Sequence, residues 1–226
     1  MIAIFGASGY IGSKLISVLN KKKIKYVCPK LSKKKGFVKI KDFESKSIKI
    51  FIKKYNIRTI INLHAQTNIE KSFDDLEYDF VHNIKLTISI LKSIKDTNKK
   101  ITYIFIGTVT QLGYTNINKS ININYKSNPL TVFDLNKQYC EDLIRIYKQK
   151  YNLNAFTLRF ANVFGPGNSV DKDRGVINKM INSAVKFNKI TLFGNGKIIR
   201  DFLYIDDATE AIYLSLKYKF KLSVND

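Results

Sequence analysis

The stretch Met1-Ile-Ala-Ile-Phe5, running without a break into Gly6-Ala-Ser-Gly-Tyr-Ile-Gly12, decides the fold. A short apolar run ends in a turn punctuated by Gly6, Gly9 and Gly12. Ile11, Leu15, Ile16 and Leu19 then recur at helical spacing. A continuous apolar run suits a strand buried on both faces, and the period after it suits a helix packed on a sheet. Gly6 permits a sharp turn, Gly9 leaves room for a pyrophosphate to approach the backbone, and Gly12 lets helix and strand pack closely. The helix N-terminus adds unpaired N–H groups and a partial positive charge. The spacing is G-x-x-G-x-x-G rather than G-x-G-x-x-G, with the same mechanics. Such glycines also occur in turns that bind nothing; the flanking strand and amphipathic helix favour a dinucleotide.

Outward from this stretch, strand and helix patterns alternate. Strands are expected at 24–28, 37–40, 58–63, 101–106 and 155–160. A helix opens at Asp42 with Ile48, Phe51, Ile52 and Tyr55 on one face. A long helix spans 76–94 with Phe80, Ile84, Thr87, Ile88, Leu91 and Ile94 inward. Another spans 131–150, after a polar loop at 113–130. The alternation predicts an α/β chain: a Rossmann-like, doubly wound parallel sheet. Ligands of such sheets bind beyond the carboxyl ends of the strands. From Gly165-Pro-Gly167 the character changes to a helix at 176–187, a strand at 190–193 and a last helix at 206–218. Residues 1–164 therefore read as a dinucleotide-binding domain, and 165–226 as a partial second, substrate-binding lobe with a returning helix.

Composition narrows the function. The chain has 226 residues, of which 45% are hydrophobic and three are proline, so it buries a substantial core. The formal net charge of +21 comes from 34 Lys and 5 Arg against 18 acids. Lysine runs such as 21–23 and 33–35, beside heavy Asn and Ile use, read as compositional bias on a solvated surface, and no nucleic-acid partner is expected. No apolar run approaches a membrane span, and the N-terminus lacks the basic and small-residue features of a secretory signal. Cys28 and Cys140 form no motif, which points to a reducing, cytoplasmic setting. His64 and His82 lie far apart in sequence, and no metal site is expected.

An ordered set of motifs resembles the extended short-chain dehydrogenase/reductase family of NAD-dependent nucleotide-sugar epimerases and dehydratases. The set comprises Gly6-Ala-Ser-Gly-Tyr-Ile-Gly12, Asn83 with Thr87, Gly107-Thr108, Lys137 with Glu141, Leu158-Arg-Phe-Ala-Asn-Val-Phe-Gly-Pro-Gly167 and Phe193-Gly-Asn-Gly-Lys-Ile-Ile-Arg-Asp-Phe-Leu-Tyr-Ile-Asp-Asp207. The resemblance implies that Gly6, Ser8, Gly9, Tyr10, Ile11 and Gly12 hold the pyrophosphate of NAD or NADP. It implies that Asp42, with Phe43, meets the adenine, that Leu63 to Thr67, with Ala65 and Gln66, line the cofactor, and that Asn83 braces the site. Asn162 and Arg200 would meet the diphosphate of a nucleotide sugar, for which a guanidinium fork is suited. Asp42 as a helix N-cap, and Arg200 paired with Asp201 or Asp206, are the plain structural alternatives. The resemblance also implies a homodimer formed by the two long helices.

Family members carry a Ser or Thr and then Tyr-x-x-x-Lys. The tyrosine exchanges a proton with a sugar hydroxyl while hydride moves, and the lysine lowers the phenol pKa and holds the nicotinamide ribose. Thr108 and Lys137 fit this pattern, but the tyrosine position is Phe133. The ring is kept and the proton lost, which leaves three accounts open: a natively impaired copy, an engineered trap, or a water or neighbouring group acting instead. Lys30 stands where NAD-preferring relatives carry an acid, which tilts the cofactor toward NADP. No carboxylate follows Thr108 in Val109-Thr110-Gln111, which favours an epimerase or 4-keto-reductase over a dehydratase. The rival reading is an inactive dinucleotide-binding module or a truncated relic of such an enzyme.

Overall fold

A computed structural model of the chain describes residues 1–97, 100–114, 121–122, 124–167, 175–192 and 199–217. Its elements run β1 (Ile2–Phe5), α1 (Tyr10–Lys21), β2 (Tyr26–Val27), β3 (Pro29–Lys30), β4 (Val38–Lys39), α2 (Ser45–Lys54), β5 (Thr59–Asn62), α3 (Ile69–Asp74) and α4 (Leu76–Phe80). A π-helical turn (Val81–Lys85), α5 (Leu86–Lys95), β6 (Thr102–Thr108), a 3-10 turn (Val109–Leu112), α6 (Val132–Tyr151), β7 (Asn154–Phe160), β8 (Asn162–Phe164), α7 (Val176–Phe187), β9 (Phe202–Tyr204) and α8 (Ile205–Lys217) follow.

The main sheet has the order β2-β1-β5-β6-β7, and every pair is parallel. Beyond β2 the chain bends at Cys28. There β3 pairs with β4, with Val38 N–H donating to Cys28 O at 2.9 Å and Ile40 N–H to Lys30 O at 2.9 Å. Side chains alternate across a strand, so consecutive apolar residues feed opposite cores. Phe5, Ile60, Tyr103 and Phe105 pack against Ile48 and Ile52 of α2, Ile90 of α5 and Ile144 of α6. Ile4, Ile61, Ile104 and Ile106 pack against Leu15 and Leu19 of α1 and Ala208 and Ile212 of α8. The sheet is thus doubly wound, as its continuous apolar strands predict.

The second lobe is small. Strands β8 and β9 form their own parallel pair, in register from Asn162–Phe202 to Phe164–Tyr204. None of the described side chains of α7 is buried, and Val185 and Phe187 are 81% and 73% exposed.

Three sequence expectations are corrected. The long helix over 76–94 is broken by the π turn, and Phe80 is exposed rather than inward because the extra residue per turn rotates the preceding face outward. Helix α2 starts at Ser45, not at Asp42. Residues 190–192 form no strand; the partner of β8 is β9 instead, since the family-like motif places its extended stretch after Arg200. The segment after β5 holds α3, whose start Asn68 caps by accepting Lys71 N–H at 3.2 Å. Phe193 to Ile198, Tyr218 and parts of the 113–130 loop lie outside the described residues.

Candidate active site

The glycine turn sits at the carboxyl end of β1, in the centre of the sheet. Gly6 has φ +79°, and a Cβ there would lie 2.5 Å from His64 N and Leu63 C, which are backbone atoms. A Cβ on Gly12 would meet Gly6 O and Ala7 Cα. These two glycines hold β1, α1 and the turn after β5 in contact. Positive φ and a backbone clash together cost about 3 kcal/mol. Gly6→Ala therefore lowers the melting temperature by about 6–12 °C in a thermal melt, and a loss under about 2 °C would show that the turn is not tight.

Gly9 is the N-cap of α1. It provides no side-chain cap, and the first turn contains no acid. The leading N–H groups of α1 are therefore left for an anion. Lys30 reaches over this turn, with Nζ 3.4 Å from Ser8 Oγ and 5.4 Å from the Phe37 ring centre. Tyr10 donates its hydroxyl hydrogen to Gly165 O at 2.9 Å, tying the turn to the second lobe, and burial pushes its phenol up to about 12. Ile11 packs into the α1-side core.

Asp42 is no helix cap. Its carboxylate accepts Glu44 N–H at 3.0 Å, and the Ser47 hydroxyl and that N–H hold it below the usual carboxylate range. Phe43 packs edge-on to both Phe5 and His64, with ring centres 5.7 and 5.8 Å apart. Leu63 continues β5 toward the turn, its N–H donating to Phe5 O at 2.9 Å. Ala65 is half-buried beside it.

Gln66 and Asn83 converge on Asp79, a fully buried carboxylate that the sequence reading missed. Asp79 accepts from Gln66 Nε2 at 2.8 Å, Asn83 Nδ2 at 3.0 Å and Asn136 Nδ2 at 2.6 Å. The i, i+4 spacing of Asp79 and Asn83 was the available signal. Asn83 stands within the π turn and also donates to Gln66 O at 3.2 Å. Its Oδ1 is buried and has no partner among the described residues. His64 and His82, distant in sequence, stack with ring centres 5.9 Å apart. Burial, with His82 and Lys137 nearby, lowers His64 to about 4, so it is neutral at pH 7. Among the described residues no group of three or more His, Cys, Asp or Glu is placed to hold a metal.

Thr108 ends β6, and α6 brings Phe133 and Lys137 beside it. Lys137 is 6% exposed, and its Nζ donates to Ile106 O at 2.9 Å. The ammonium lies 4.7 Å from the Phe105 ring centre and 5.8 Å from that of Phe133. Burial brings Lys137 down to about 8. Glu141 pairs with Arg159 at 2.7 Å rather than with Lys137. Thr108 Oγ1 lies 2.7 Å from Thr110 Oγ1, and Thr110 donates to Asp134 Oδ1. On the other lobe, Asn162 Nδ2 donates to Asp201 O at 3.0 Å, which places it next to Arg200. The Arg200 guanidinium is exposed and donates to Ile199 O at 3.3 Å; Asp206 pairs with Lys14 at 2.5 Å instead.

A model of the NAD dependent epimerase/dehydratase family matches residues 2–224. The chain belongs to that family. It is 28% identical over 243 residues to the dTDP-D-glucose 4,6-dehydratase of Dictyostelium discoideum, covering 96% of this chain and 55% of that protein. It is 24% identical over 233 residues to the dTDP-4-dehydro-6-deoxyglucose reductase of Escherichia coli, covering 96% and 73%. Among solved structures, it matches a tyrosine-to-phenylalanine mutant of the Bacillus cereus UDP-glucuronic acid 4-epimerase, in complex with UDP-4-deoxy-4-fluoro-glucuronic acid and NAD. The TM-score is 0.84 at 23% identity, covering 96% of this chain and 73% of that one. These three proteins are named for a dehydration, a reduction and an epimerisation. No helix among the described residues is long and apolar enough to cross a membrane.

Proposed function

We propose that this chain binds a nicotinamide dinucleotide and acts as a nucleotide-sugar epimerase or 4-keto-reductase. The observation that carries the reading is one cluster at the carboxyl ends of β1 and β6. It combines an uncapped glycine turn, Thr108, and a buried Lys137 one helical turn from Phe133. The residues fit the cofactor. The α1 N-terminus takes the pyrophosphate, and the free Asn83 Oδ1 is a buried acceptor awaiting a donor. Asp42 and Phe43 flank the adenine, Leu63, Ala65 and Gln66 line the ring system, and Lys137 holds the nicotinamide ribose. A nicotinamide held there would supply hydride transfer to and from a sugar carbon. Asn162 and Arg200 take the sugar diphosphate; the rest of residues 1–164 serves the cofactor, and 165–226 the substrate.

The similar proteins support both halves. The Bacillus mutant holds NAD and a sugar nucleotide while lacking one phenol. Exposed Phe73, Phe80, Leu135 and Tyr139 offer an apolar surface on α3, α4 and α6 for a second copy. The dehydratase relative is the weaker guide, because Val109-Thr110-Gln111 contains no acid.

Titration of the chain with NADH and NADPH, read by nucleotide fluorescence and melting temperature together, tests the reading. Saturable binding should raise the melting temperature by mass action. Absence of binding by a folded chain would end it. The Lys30 ammonium beside Ser8 is set for a 2′-phosphate, so NADP is accepted alongside NAD. Lys30→Ala is expected to weaken NADPH about 10-fold and NADH less than about 3-fold. Equal losses would make Lys30 a plain surface lysine.

A further inference from the structure

The missing phenol leaves a hydride-transfer site without an evident proton acceptor, and a buried carboxylate outside the family's catalytic set lies two hydroxyls away. We propose that Asp134 is the terminal proton acceptor for the sugar hydroxyl, reached through Thr110 and Thr108. The proposal rests on the cluster being an epimerase or keto-reductase site. Asp134 is 3% exposed, in the first turn of α6, directly after Phe133. Thr110 donates its hydroxyl hydrogen to Asp134 Oδ1. With that hydrogen committed, the 2.7 Å contact between the two threonines requires Thr108 to donate to Thr110. Thr108 Oγ1 also accepts Thr110 N–H at 3.2 Å. One of its two lone pairs is then left to accept a further hydrogen.

The row is therefore directional. A sugar hydroxyl gives its proton to Thr108 as Thr108 passes its own to Thr110 and Thr110 passes its own to Asp134. The sugar O–H and C–H bonds break and C=O forms. The C–H electron pair leaves as hydride to the nicotinamide dinucleotide, which is the oxidant, and Asp134 becomes neutral. The return step runs the same row backward. Asp134 also accepts the Thr131 hydroxyl on Oδ2 at 2.7 Å, while its N–H donates to Thr131 at 3.1 Å. A helix-start role therefore competes with the relay as the reason for its presence.

The test uses the full chain loaded with NAD and mixed with UDP-glucose or dTDP-glucose. Asp134→Asn should lower single-turnover reduction of bound NAD by about 10²-fold or more, with KM and NADH affinity within about 3-fold of the parent. Thr110→Val, which keeps the carboxylate and its contacts with Thr131, should lose as much. Adding Phe133→Tyr to Asp134→Asn should restore the rate. Infrared difference spectra on mixing should show a carboxylic acid band in the parent that is lost in Asp134→Asn. A Thr110→Val rate within about 3-fold of the parent would overturn the relay, as would an Asp134→Asn loss that follows melting temperature and is not rescued by the tyrosine. A parent that binds NADH but gives neither NAD reduction nor the band also overturns it. A parent that binds no NADH overturns the site assignment itself, and the relay with it.

Discussion

Phe133→Tyr is expected to raise turnover with a nucleotide-sugar substrate by about 10²-fold, at the low end of what a positioned general acid/base contributes. The low end follows from the relay, which already covers part of the phenol's work through Thr108. The scaffold is ready for the substitution. The Phe133 ring is 8% exposed, and the Lys137 ammonium lies 5.8 Å from its centre. A phenol on that ring would sit in the field of a buried cation, which favours phenolate and lowers its pKa. The gain should fall on kcat rather than KM, because a proton acceptor acts in the transition state and adds little to ground-state binding. Nucleotide affinity should change by less than about 3-fold, since none of the cofactor contacts proposed here uses the Phe133 ring edge. Steady-state kinetics of parent and variant with the same substrate check this. An unchanged rate in a variant that still binds NADH would favour the reading of an inactive binding module.

The contrast between what the sequence discloses and what it hides follows from the length scale of each signal. The glycine turn is legible because strand, turn and helix are contiguous, and the mechanics of Gly6 and Gly12 require only neighbours in sequence and one crossing strand. The doubly wound sheet is legible because runs such as Ile60-Ile61 and Ile104-Phe105-Ile106 are apolar at every position, as strands buried on both faces must be. Thr108 and Lys137 emerge from the resemblance, and the fold brings them to the same strand end. Asp79 and Asp134 are hidden because a lone carboxylate within a helical pattern reads as a solvated position. Only the fold shows that Gln66, Asn83 and Asn136 close around the first, and Thr110 and Thr131 around the second. The π turn is hidden for a related reason. One extra residue in a helix leaves its apolar period nearly intact, yet turns Phe80 out to solvent. The stacking of His64 on His82 joins two separate elements, which spacing within one segment cannot reveal.

Lys137→Met should stabilise the fold and damage the site at once. Burial is the largest influence on this lysine and disfavours its charged form, bringing the ammonium down to about 8. The unfolded lysine keeps its proton until about 10.4, so in the window between these values the unfolded state binds more protons than the folded one. Stability therefore rises with pH from about 8 to about 10, and below that window the folded chain carries the full cost of the buried charge. Methionine fills a similar volume without the charge and loses the bond to Ile106 O and the ammonium's contacts with the Phe105 and Phe133 rings. At pH 7 the exchange should add about 1–3 kcal/mol, which is about 2–12 °C in melting temperature, and it should flatten the rise above pH 8. Dinucleotide affinity should fall about 10–100-fold in the same variant, because a hydrogen bond from a charged donor to the ribose contributes about 1.5–3 kcal/mol. The two effects have opposite signs in one substitution, and that separates a functional lysine from a structural one. A lysine retained for packing would lose stability on replacement and leave NADH affinity unchanged. A lysine retained for the cofactor destabilises its own fold, and the ligand recovers the difference on binding. Paired melts of parent and variant, with and without NADH, distinguish the two cases. In the parent NADH should raise the melting temperature strongly, and in Lys137→Met the free chain should start higher and gain little.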